Sequence, residues 1–275
     1  MPQLFDKVNI VSNTVISMNK DTKHIKLEMR TSDPDKVDEA HHLTGLGYKE
    51  GNTDSELLLS FLDTHIELRK LDTKVGNGFC VNFSSVDRRM GAGNLSKKQP
   101  LPKAIGVGNI SIIDTTAGFC GDAILLALMG FDVLAVERSP IISVLLRDAM
   151  RRAQKDQLLW TALNNRLRVV EGDAIDILQS GQLADVIYLD PMFPPKKKSS
   201  PLPPGHIQLL SQLVGDDSDA YELFLTSCQT RANRVVVKRP NYAQTMGENP
   251  VFVHKGKQVR FEVYTTKKTD LGPVF

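Results

Sequence analysis

From residue 109 onward, short apolar runs alternate along the chain with stretches that have the periodicity of helices. The apolar runs that predict strands are residues 110–114, 131–137, 167–171, 184–189 and 234–238. The helices predicted between them are residues 123–129, 141–155 and 221–228. Strands that alternate with helices run in one direction, so the pattern predicts a mostly parallel sheet covered by helices. Two last runs, residues 251–254 and 259–264, flank a Lys-Gly-Lys turn and predict an antiparallel hairpin at the sheet edge.

The first hundred or so residues are more polar and carry shorter apolar patterns. The candidate strands here are residues 25–29, 57–62, 66–71 and 79–83, the last as the second arm of a hairpin. A short helix is predicted at residues 35–43, before two glycines. We therefore predict a small strand-rich lobe with a basic linker, residues 1–104, and an α/β domain, residues 105–275.

Composition limits the class of protein. Of the 275 residues, 41% are hydrophobic and 24% are charged, which are the shares of an ordinary globular protein. Cys80, Cys120 and Cys228 have no metal-ligand spacing and are too few for a disulfide framework, so a reducing compartment is expected. No apolar run approaches the roughly 20 residues that cross a bilayer, and the first residues lack the pattern of a secretory signal. We predict a cytoplasmic monomer with no membrane segment and no metal.

One motif after the fourth predicted strand combines a carboxylate, a stiff backbone and an aromatic ring. It runs from Asp190 to Pro194 with the sequence Asp-Pro-Met-Phe-Pro. Because proline donates no hydrogen bond to a sheet, the strand is predicted to stop at Asp190. Open α/β sheets bind ligands at the carboxyl ends of their strands, which makes Asp190 a candidate functional residue. The alternative is a rigid loop in which the carboxylate only caps a turn.

Acidic side chains also follow the other predicted strands. Asp114 ends the first strand, Glu137 ends the second, and Asp173 follows the third. The turn after Asp114 contains Gly118 and Gly121, which let a ligand approach the backbone beside a helix N-terminus. Glu137 lies about twenty residues past this turn, where an acid binds ribose hydroxyls. Asp173 is placed to accept a hydrogen bond from an adenine amine. The arrangement fits a nucleoside cofactor, either a nicotinamide dinucleotide or S-adenosylmethionine.

The glycine turn favours S-adenosylmethionine. Its sequence, Ala-Gly-Phe-Cys-Gly-Asp over residues 117–122, departs from the Gly-x-Gly-x-x-Gly pattern that cradles a pyrophosphate. A terminal hairpin after five alternating units also suits a methyltransferase sheet better than the second half of a dinucleotide-binding fold.

Several segments together closely resemble the RsmJ family of small-subunit ribosomal RNA guanine-N2 methyltransferases. They are residues 114–118 (DTTAG), 137–138 (ER), 190–194 (DPMFP), 198–199 (KS) and 235–240 (VVVKRP), together with 66–70 (IELRK) and 88–89 (RR). The resemblance implies a class I, Rossmann-like methyltransferase fold with a C-terminal antiparallel hairpin. It also implies an enzyme that moves a methyl group from S-adenosylmethionine to the exocyclic N2 amine of a guanine in 16S ribosomal RNA.

The strand ends and the resemblance together predict the cofactor site. Its residues are Asp114, Gly118, Gly121, Asp122, Glu137, Arg138, Asp173, Ala174 and Asp190. The family usually has a glycine and then an arginine where this chain has Cys120 and Gly121, so we expect cofactor affinity to differ. A basic stretch of the family is replaced by residues 201–205 (PLPPG), so we expect RNA docking to differ as well.

Three residues are predicted to act on the acceptor base. Hydrogen bonds from the guanine amine to the Asp190 carboxylate and the Pro191 carbonyl would favour a pyramidal nitrogen whose lone pair faces the methyl group. Transfer would then depend on positioning and electrostatics, with no metal required. Phe193 is predicted to stack on a base turned out of the RNA, and the alternative is an aromatic ring that fills the underside of the loop.

Basic residues are predicted to contact RNA phosphates. They are Arg88, Arg89, Lys196, Lys197, Lys198, Lys238 and Arg239. A lysine run is usually a solvated face, but its position beside a candidate base pocket favours a phosphate clamp. The region of residues 1–104 is predicted to take part in RNA recognition. The formal net charge of +2 does not by itself indicate a polyanionic partner.

Three other functions remain open. An amino-methyltransferase acting on adenine N6 in nucleic acid, or on a protein glutamine, would use a related Asp-Pro-Pro-Tyr loop. An NAD-dependent dehydrogenase would need an acid or base for hydride transfer, and the sequence offers no clear histidine beside the sheet. A non-catalytic RNA-binding protein on the same fold would have no need of Asp190.

Overall fold

A computed structural model describes residues 25–51, 56–89, 93–192 and 219–266. The strands within these ranges are β1 (Ile25–Arg30), β2 (Lys49–Glu50), β3 (Leu57–Leu62), β4 (Ile66–Lys70), β5 (Ser111–Asp114), β6 (Asp132–Glu137), β7 (Leu167–Glu171), β8 (Val186–Leu189), β9 (Arg234–Pro240), β10 (Phe252–Lys255) and β11 (Val259–Tyr264). The α-helices are α1 (Pro34–Gly45), α2 (Pro100–Ile105), α3 (Gly121–Leu128), α4 (Pro140–Ala153), α5 (Gln157–Leu163), α6 (Ala174–Gln179) and α7 (Ala220–Cys228).

The larger sheet has seven strands in the order β10-β11-β9-β8-β5-β6-β7. The strands from β9 to β7 are parallel, whereas β11 is antiparallel to β9 and β10 is antiparallel to β11. The predicted Rossmann-like sheet with a C-terminal antiparallel hairpin is therefore confirmed. The chain continues from β5 to β6 on one side and later adds β8 on the other, so the strand order reverses between β5 and β8. Open α/β sheets bind ligands at the carboxyl edge of such a reversal.

Strand side chains alternate between the two covered faces of this sheet. Ile112 packs in the core formed with α3, α4 and α5, whereas Ile113 packs with α6 and α7. On β8, Tyr188 joins the first core and Leu189 the second. A strand buried on both faces is apolar along its whole length, which explains why these segments are continuous apolar runs in the sequence.

A second sheet of four strands, in the order β2-β1-β3-β4, packs against α4. In this sheet β1 is parallel to β2 and β3, while β3 and β4 are antiparallel. Leu59 and Phe61 of β3 belong to the same apolar core as Ile142 and Leu146 of α4. Helix α4 therefore lies between the two sheets, and they share one core.

Ion pairs connect α1 to α4. Glu39 on α1 accepts hydrogen bonds from Arg147 at 2.7 Å and from Arg151 at 3.0 Å. Burial opposes the charge on Glu39, but the two guanidinium groups outweigh it and lower the pKa of this carboxyl. Arg147 also donates to Glu171, the last residue of β7, at 3.0 Å. One arginine thus joins the N-terminal helix to the edge of the larger sheet.

The structure changes some details of the prediction. The hairpin arm at residues 79–83 is wrong, because only Phe79 pairs, in a single bridge to Leu68, before a 3₁₀ turn at Phe83–Ser85. The predicted boundary between residues 104 and 105 falls inside α2, which packs against β9, β10 and β11. The division into two regions stays a prediction. Within the described residues, no helix is long and apolar enough to cross a membrane.

Candidate functional site

A cleft of about 540 Å³ opens at the carboxyl ends of β5, β6 and β8. This volume lies in the range of sites that enclose a small-molecule ligand. All the predicted cofactor residues line the cleft, namely Asp114, Gly118, Gly121, Asp122, Glu137, Arg138, Asp173, Ala174 and Asp190. Further lining residues include Thr116, Phe119, Pro191, Met192, Asp219, Lys238 and Tyr242. The fold therefore brings residues from six separate segments to one place.

The turn after β5 is bonded to both neighbouring strands. Thr115 donates from its backbone N–H and from its hydroxyl to the carbonyl of Tyr188 on β8, both at 2.9 Å. On the other side, the N–H of Ala117 donates to the carbonyl of Val136 on β6 at 3.0 Å. Gly118 continues the turn with a φ of +51°, a conformation that glycine adopts without strain. The turn is thus a fixed part of the cleft wall.

Cys120 occupies the N-cap position of α3 in the left-handed conformation, with a φ of +57°. For a residue with a side chain, that conformation costs about 1–2 kcal/mol. The thiol is fully buried, and this burial raises the pKa of Cys120 well above its usual value. The glycine expected from the family resemblance would remove the strain, whereas cysteine adds apolar contact. The helix begins at Gly121 as the turn requires, so the departure leaves the local fold intact.

Glu137 holds two backbone segments at the end of β6. Its Oε2 accepts from the N–H of Gly118 at 2.8 Å, and its Oε1 accepts from the N–H of Ser139 at 2.7 Å. The residue is 4% exposed and lines the cleft. Its role toward ribose hydroxyls stays a prediction, and the structure adds that the same carboxylate positions the glycine turn.

Asp190 is held from both its backbone and its side chain. Its N–H donates to the hydroxyl of Thr116 at 2.6 Å, and its carboxylate accepts from Nζ of Lys238 at 2.8 Å. Lys238 also donates to Asp122 at 2.8 Å, and Asp122 accepts from the hydroxyl of Tyr188 at 2.5 Å. One ammonium group thus bridges two acids, and the Asp190 side chain remains 36% exposed. Its carboxylate is fixed in direction and still accessible from the cleft.

Two groups at this site, Lys238 and Asp114, have shifted pKa values. Burial disfavours the ammonium of Lys238, but the charges of Asp190 and Asp122 outweigh that effect and raise its pKa, so it stays charged. Asp114 is 2% exposed and accepts from the N–H of Thr116 at 3.1 Å. Burial raises the pKa of Asp114 to about 8, and the charges of Asp122 and Asp190 act in the same direction. Asp114 is therefore mainly protonated at pH 7.

Residues after β6 and β7 form the other side of the cleft with α7. Asp173 is the N-cap of α6 and accepts from the N–H of Ile175 at 2.7 Å. The carboxylate predicted to meet an adenine amine therefore also caps a helix. Arg138 donates two hydrogen bonds to Asp219, at 2.8 and 3.1 Å, just before α7 begins. This ion pair joins two walls of the cleft.

A buried ionic network fixes the loop that follows β9. Glu262 is fully buried and accepts from Arg260 at 2.6 Å, from the hydroxyl of Tyr264 at 2.7 Å and from the N–H of Met246 at 3.0 Å. Arg260 in turn donates to the carbonyls of Pro240, at the end of β9, and of Ala243 in the loop, both at 2.7 Å. Tyr242 lies in this loop, is 55% exposed and lines the cleft. The network therefore positions an accessible aromatic ring at the cleft rim.

Of the residues predicted to contact RNA, those that the structure describes are not gathered in one place. Arg88 pairs with Asp156 at 2.9 Å, beyond the C-terminal end of α4. Arg88 is not among the residues that line the cleft. Arg89 is exposed and pairs with Asp87 at 2.6 Å.

Two more of these residues lie at or near the cleft. Lys238 lies inside it, bonded to two carboxylates as described, and Arg239 donates to the carbonyl of Gln244 at 2.6 Å. Their contacts with phosphate stay predictions. The remaining candidates, Phe193, Lys196, Lys197 and Lys198, lie outside the described residues.

Some cleft residues give no clear signal in the sequence. Tyr188 lies within an apolar run, and its hydroxyl has a hydrogen-bond acceptor in the cleft only because the fold brings Asp122 next to it. Lys238 follows the apolar residues of β9, and only the parallel pairing of β8 with β9, with Leu189 opposite Val237, places it beside Asp190. Pairing between strands far apart in the chain cannot be deduced from either strand alone.

The chemistry of the cleft fits S-adenosylmethionine. Asp122 in the first turn of α3 places a carboxylate at the helix N-terminus, where a dinucleotide would put its pyrophosphate, so like charges would repel. Carboxylates instead suit ribose hydroxyls, an amino group and a positively charged sulfur. In the described part of the chain, no cluster of three or more His, Cys, Asp or Glu side chains is placed to hold a metal ion.

Comparisons with known proteins agree with this chemistry. A family model described as "Putative SAM-dependent methyltransferase" matches residues 42–266. Ribosomal RNA small subunit methyltransferase J of Haemophilus influenzae is 38% identical over 222 residues, covering 78% of this chain and 85% of that protein. The protein of the same name from Coxiella burnetii is 38% identical over 224 residues, covering 78% and 86%.

Solved structures include a similar fold. The crystal structure of a SAM-dependent methyltransferase from Neisseria gonorrhoeae superposes with a TM-score of 0.68 and 25% identity, covering 89% of this chain and 97% of that one. The family model spans residues 42–266, which include every strand of the larger sheet and every residue that lines the cleft, and each of the two relatives covers 78% of the chain. The chain therefore belongs to the ribosomal RNA small subunit methyltransferase J family of S-adenosylmethionine-dependent methyltransferases.

Proposed function

We propose that the protein transfers a methyl group from S-adenosylmethionine to the exocyclic N2 amine of a guanine in 16S ribosomal RNA. The two relatives that are 38% identical are both named as methyltransferases of small-subunit ribosomal RNA, which supports the substrate class. The observation that carries the proposal is the Asp190 carboxylate, fixed by Lys238 and accessible from the cofactor cleft.

Residues at the ends of β5, β6 and β7 would hold the cofactor. Glu137 would accept from the ribose hydroxyls, Asp173 from the adenine amine, and the turn at Gly118 would lie against the ligand. S-adenosylmethionine supplies a methyl group that its positively charged sulfur makes electrophilic. The acidic character of the cleft favours such a cation.

Asp190 would orient the acceptor amine. Its carboxylate and the Pro191 carbonyl would accept the two N–H groups, which turns the nitrogen lone pair toward the methyl group. Lys238 keeps the carboxylate in one direction, so the contact is formed before the base arrives, and such preorganised contacts contribute much of enzymatic catalysis. The proton that leaves the methylated nitrogen passes to Asp190, whose partial exposure lets it be released to solvent.

We also propose that the protein acts in the cytoplasm as a monomer, with residues 1–104 contributing to RNA recognition. A ribosomal RNA substrate supports the location, and light scattering of the purified protein, alone and with RNA, measures the assembly state.

The test of this function is methylation of 16S ribosomal RNA and of small ribosomal subunits, followed by mass spectrometry of the nucleosides. We expect N2-methylguanosine from the wild type. Asp190→Ala and Asp190→Asn should lower turnover by about 10²-fold or more, the scale of one lost electrostatic contact in a transition state. Asp176→Asn, an exposed acid on α6, is the matched control and should keep the wild-type rate.

Three results would count against the proposal. Methylated adenine or methylated protein glutamine would replace guanine as the acceptor. Binding of NADH without S-adenosylmethionine, measured by calorimetry, would contradict methyl transfer altogether. Wild-type turnover by Asp190→Ala would leave the Asp190 loop with a structural role only.

A further inference from the structure

Two basic segments that are distant in sequence meet beside the larger sheet. The first is residues 97–103, which include the start of α2, and the second is residues 255–257, at the turn between β10 and β11. A Cβ added to Gly256 in that turn would lie 3.6 Å from Cγ of Pro100, so the segments are in contact. Helix α2 continues along β10 and β11. Burial lowers the pKa of His254 on β10, and the charge of Lys103 on α2 adds to this effect.

The turn between β10 and β11 lies on the cleft side of the sheet. Because β11 is antiparallel to β9, it begins opposite Pro240 at the carboxyl end of β9. The side-chain amide of Asn241 donates to the carbonyls of Gly256 and Lys257, at 3.1 and 3.3 Å. The next residue, Tyr242, lines the cleft. The basic turn is therefore fastened directly to the cleft rim.

The lysines of these two segments are all exposed. They are Lys97, Lys98, Lys103, Lys255 and Lys257, which we call the hairpin lysine surface. None of the ion pairs formed among the described residues includes them, whereas Arg88 and Arg89 are each paired with an aspartate. The whole chain has a formal net charge of only +2, so this surface is a local concentration of positive charge.

We propose that the hairpin lysine surface binds the phosphates of the RNA strand that flanks the target base. This inference rests on the proposed function and specifies where its substrate lies. Lysine contacts with phosphates position a nucleic acid without determining its sequence, and exposed aromatic rings beside them provide stacking for unpaired bases. Tyr242 is such a ring, at the point where the surface meets the cleft. An acidic protein surface would match the charge but would have no use for the ring, so RNA is the favoured partner.

Neutralising four of these lysines tests the proposal. The variant carries Lys97→Gln, Lys98→Gln, Lys255→Gln and Lys257→Gln. The control variant carries Lys49→Gln, Lys70→Gln, Lys74→Gln and Lys155→Gln, which remove the same charge from exposed positions elsewhere. Binding of a 16S ribosomal RNA transcript is measured from 50 to 200 mM salt, with S-adenosylmethionine affinity measured by calorimetry and folding by circular dichroism.

We expect the hairpin variant to bind RNA at least 10-fold more weakly at low salt, while the control variant stays within 3-fold of the wild type. Each lost phosphate contact with a single strand reduces the slope of log affinity against log salt by about 0.7. The slope of the hairpin variant should therefore fall by about 2–3. Both variants should bind S-adenosylmethionine as the wild type does.

The outcomes separate this inference from the proposed function. An unchanged salt slope in the hairpin variant, with the wild type methylating RNA, would overturn the inference and leave the function standing. Equal losses of RNA affinity in both variants would also overturn the inference and leave the function standing, because the effect would then come from the net charge of the protein and not from this surface. Weaker binding to assembled small subunits with unchanged binding to free RNA would assign the surface to a protein partner. A wild type that neither binds nor methylates ribosomal RNA would instead overturn the proposed function.

Discussion

At the scale of single residues, the charge balance of the cleft depends on Lys238. Its ammonium bonds to Asp122 and Asp190, both at 2.8 Å, and so permits these two carboxylates to lie near the buried carboxyl group of Asp114. Removing the lysine alone would leave the two acids facing each other without a counter-charge. The acceptor-orienting role proposed for Asp190 thus depends on a residue 48 positions later in the chain.

Asp114→Asn should reduce the dependence of stability on pH. The pKa of Asp114 is about 8 in the folded protein against an ordinary value of 3.8, so between these values only the folded state binds the proton. The free energy of unfolding should therefore fall as pH rises from 4 to 8, by up to about 1.4 kcal/mol per pH unit. Asparagine still accepts the N–H of Thr116 but does not titrate, so the slope should flatten.

Urea unfolding of the wild type and of Asp114→Asn at pH 5, 6, 7 and 8 measures this slope. Asp176→Asn, which changes an exposed acid on α6, serves as the control and should keep the wild-type slope. Parallel pH profiles for the wild type and Asp114→Asn would show that Asp114 carries no extra proton in the folded state.

At the scale of elements, β4 and the turn after it support the glycine turn at residues 117–122. Glu67 on β4 is fully buried and accepts from the N–H groups of Gly76 and Gly78, both at 2.7 Å. The next residue, Phe79, packs against Phe119, with ring centroids 4.5 Å apart. Because Phe119 lines the cleft, the N-terminal sheet contacts the glycine turn through this aromatic pair.

Gly78→Ala should destabilise the protein and weaken cofactor binding. An added Cβ would lie 2.8 Å from Cδ of Glu67 and 2.9 Å from Cβ of Arg69, and both of these residues are buried. Overpacking of this kind costs about 1–3 kcal/mol. Gly45→Ala is the control, because a Cβ there meets nothing within 4 Å at the end of α1. Urea unfolding and calorimetry measure both effects, and a fully stable Gly78→Ala would show that the turn can move aside.

The sequence predicts the buried strands well and the polar connections poorly. Strand β6 is predicted at residues 131–137 and begins one residue later, because burial on both faces makes it apolar throughout. Helices α5 and α6, of seven and six residues, are too short to show a clear period. The acids of the cleft are found because parallel strands end at one edge. The predicted hairpin arm at residues 79–83 is wrong because the N–H groups of the turn before it donate to the Glu67 side chain and not to a strand.

At the scale of the whole molecule, α4 connects the two sheets. Ten of its 14 residues are buried, and Glu39 on α1 is bonded to two of its arginines. Separating the sheets would expose one shared core and break these ion pairs, so the described chain should unfold as a unit.

Hydrogen exchange under native conditions tests this unity. The amides of β3 in the smaller sheet and of β8 in the larger sheet should exchange with the same free energy of opening, because both require global unfolding. Exchange of β3 at a free energy several kcal/mol below that of β8 would instead identify the N-terminal sheet as a separate folding unit. The amides of α4 provide an internal reference, since this helix contacts both sheets.

The ion pair between Asp190 and Lys238 can form only after the ribosome has translated both residues. The two residues are 48 positions apart, and at about 5–20 residues per second a ribosome needs roughly 2–10 s to make that stretch. Until β9 joins β8, Asp190 lacks the counter-charge of Lys238. The side of the cleft that β9 forms is also absent. A nascent chain that ends before β9 therefore contains β5, β6, β7 and β8, with the predicted cofactor residues, but not Lys238. We therefore expect methyl transfer only after β9 has been translated and has paired with β8.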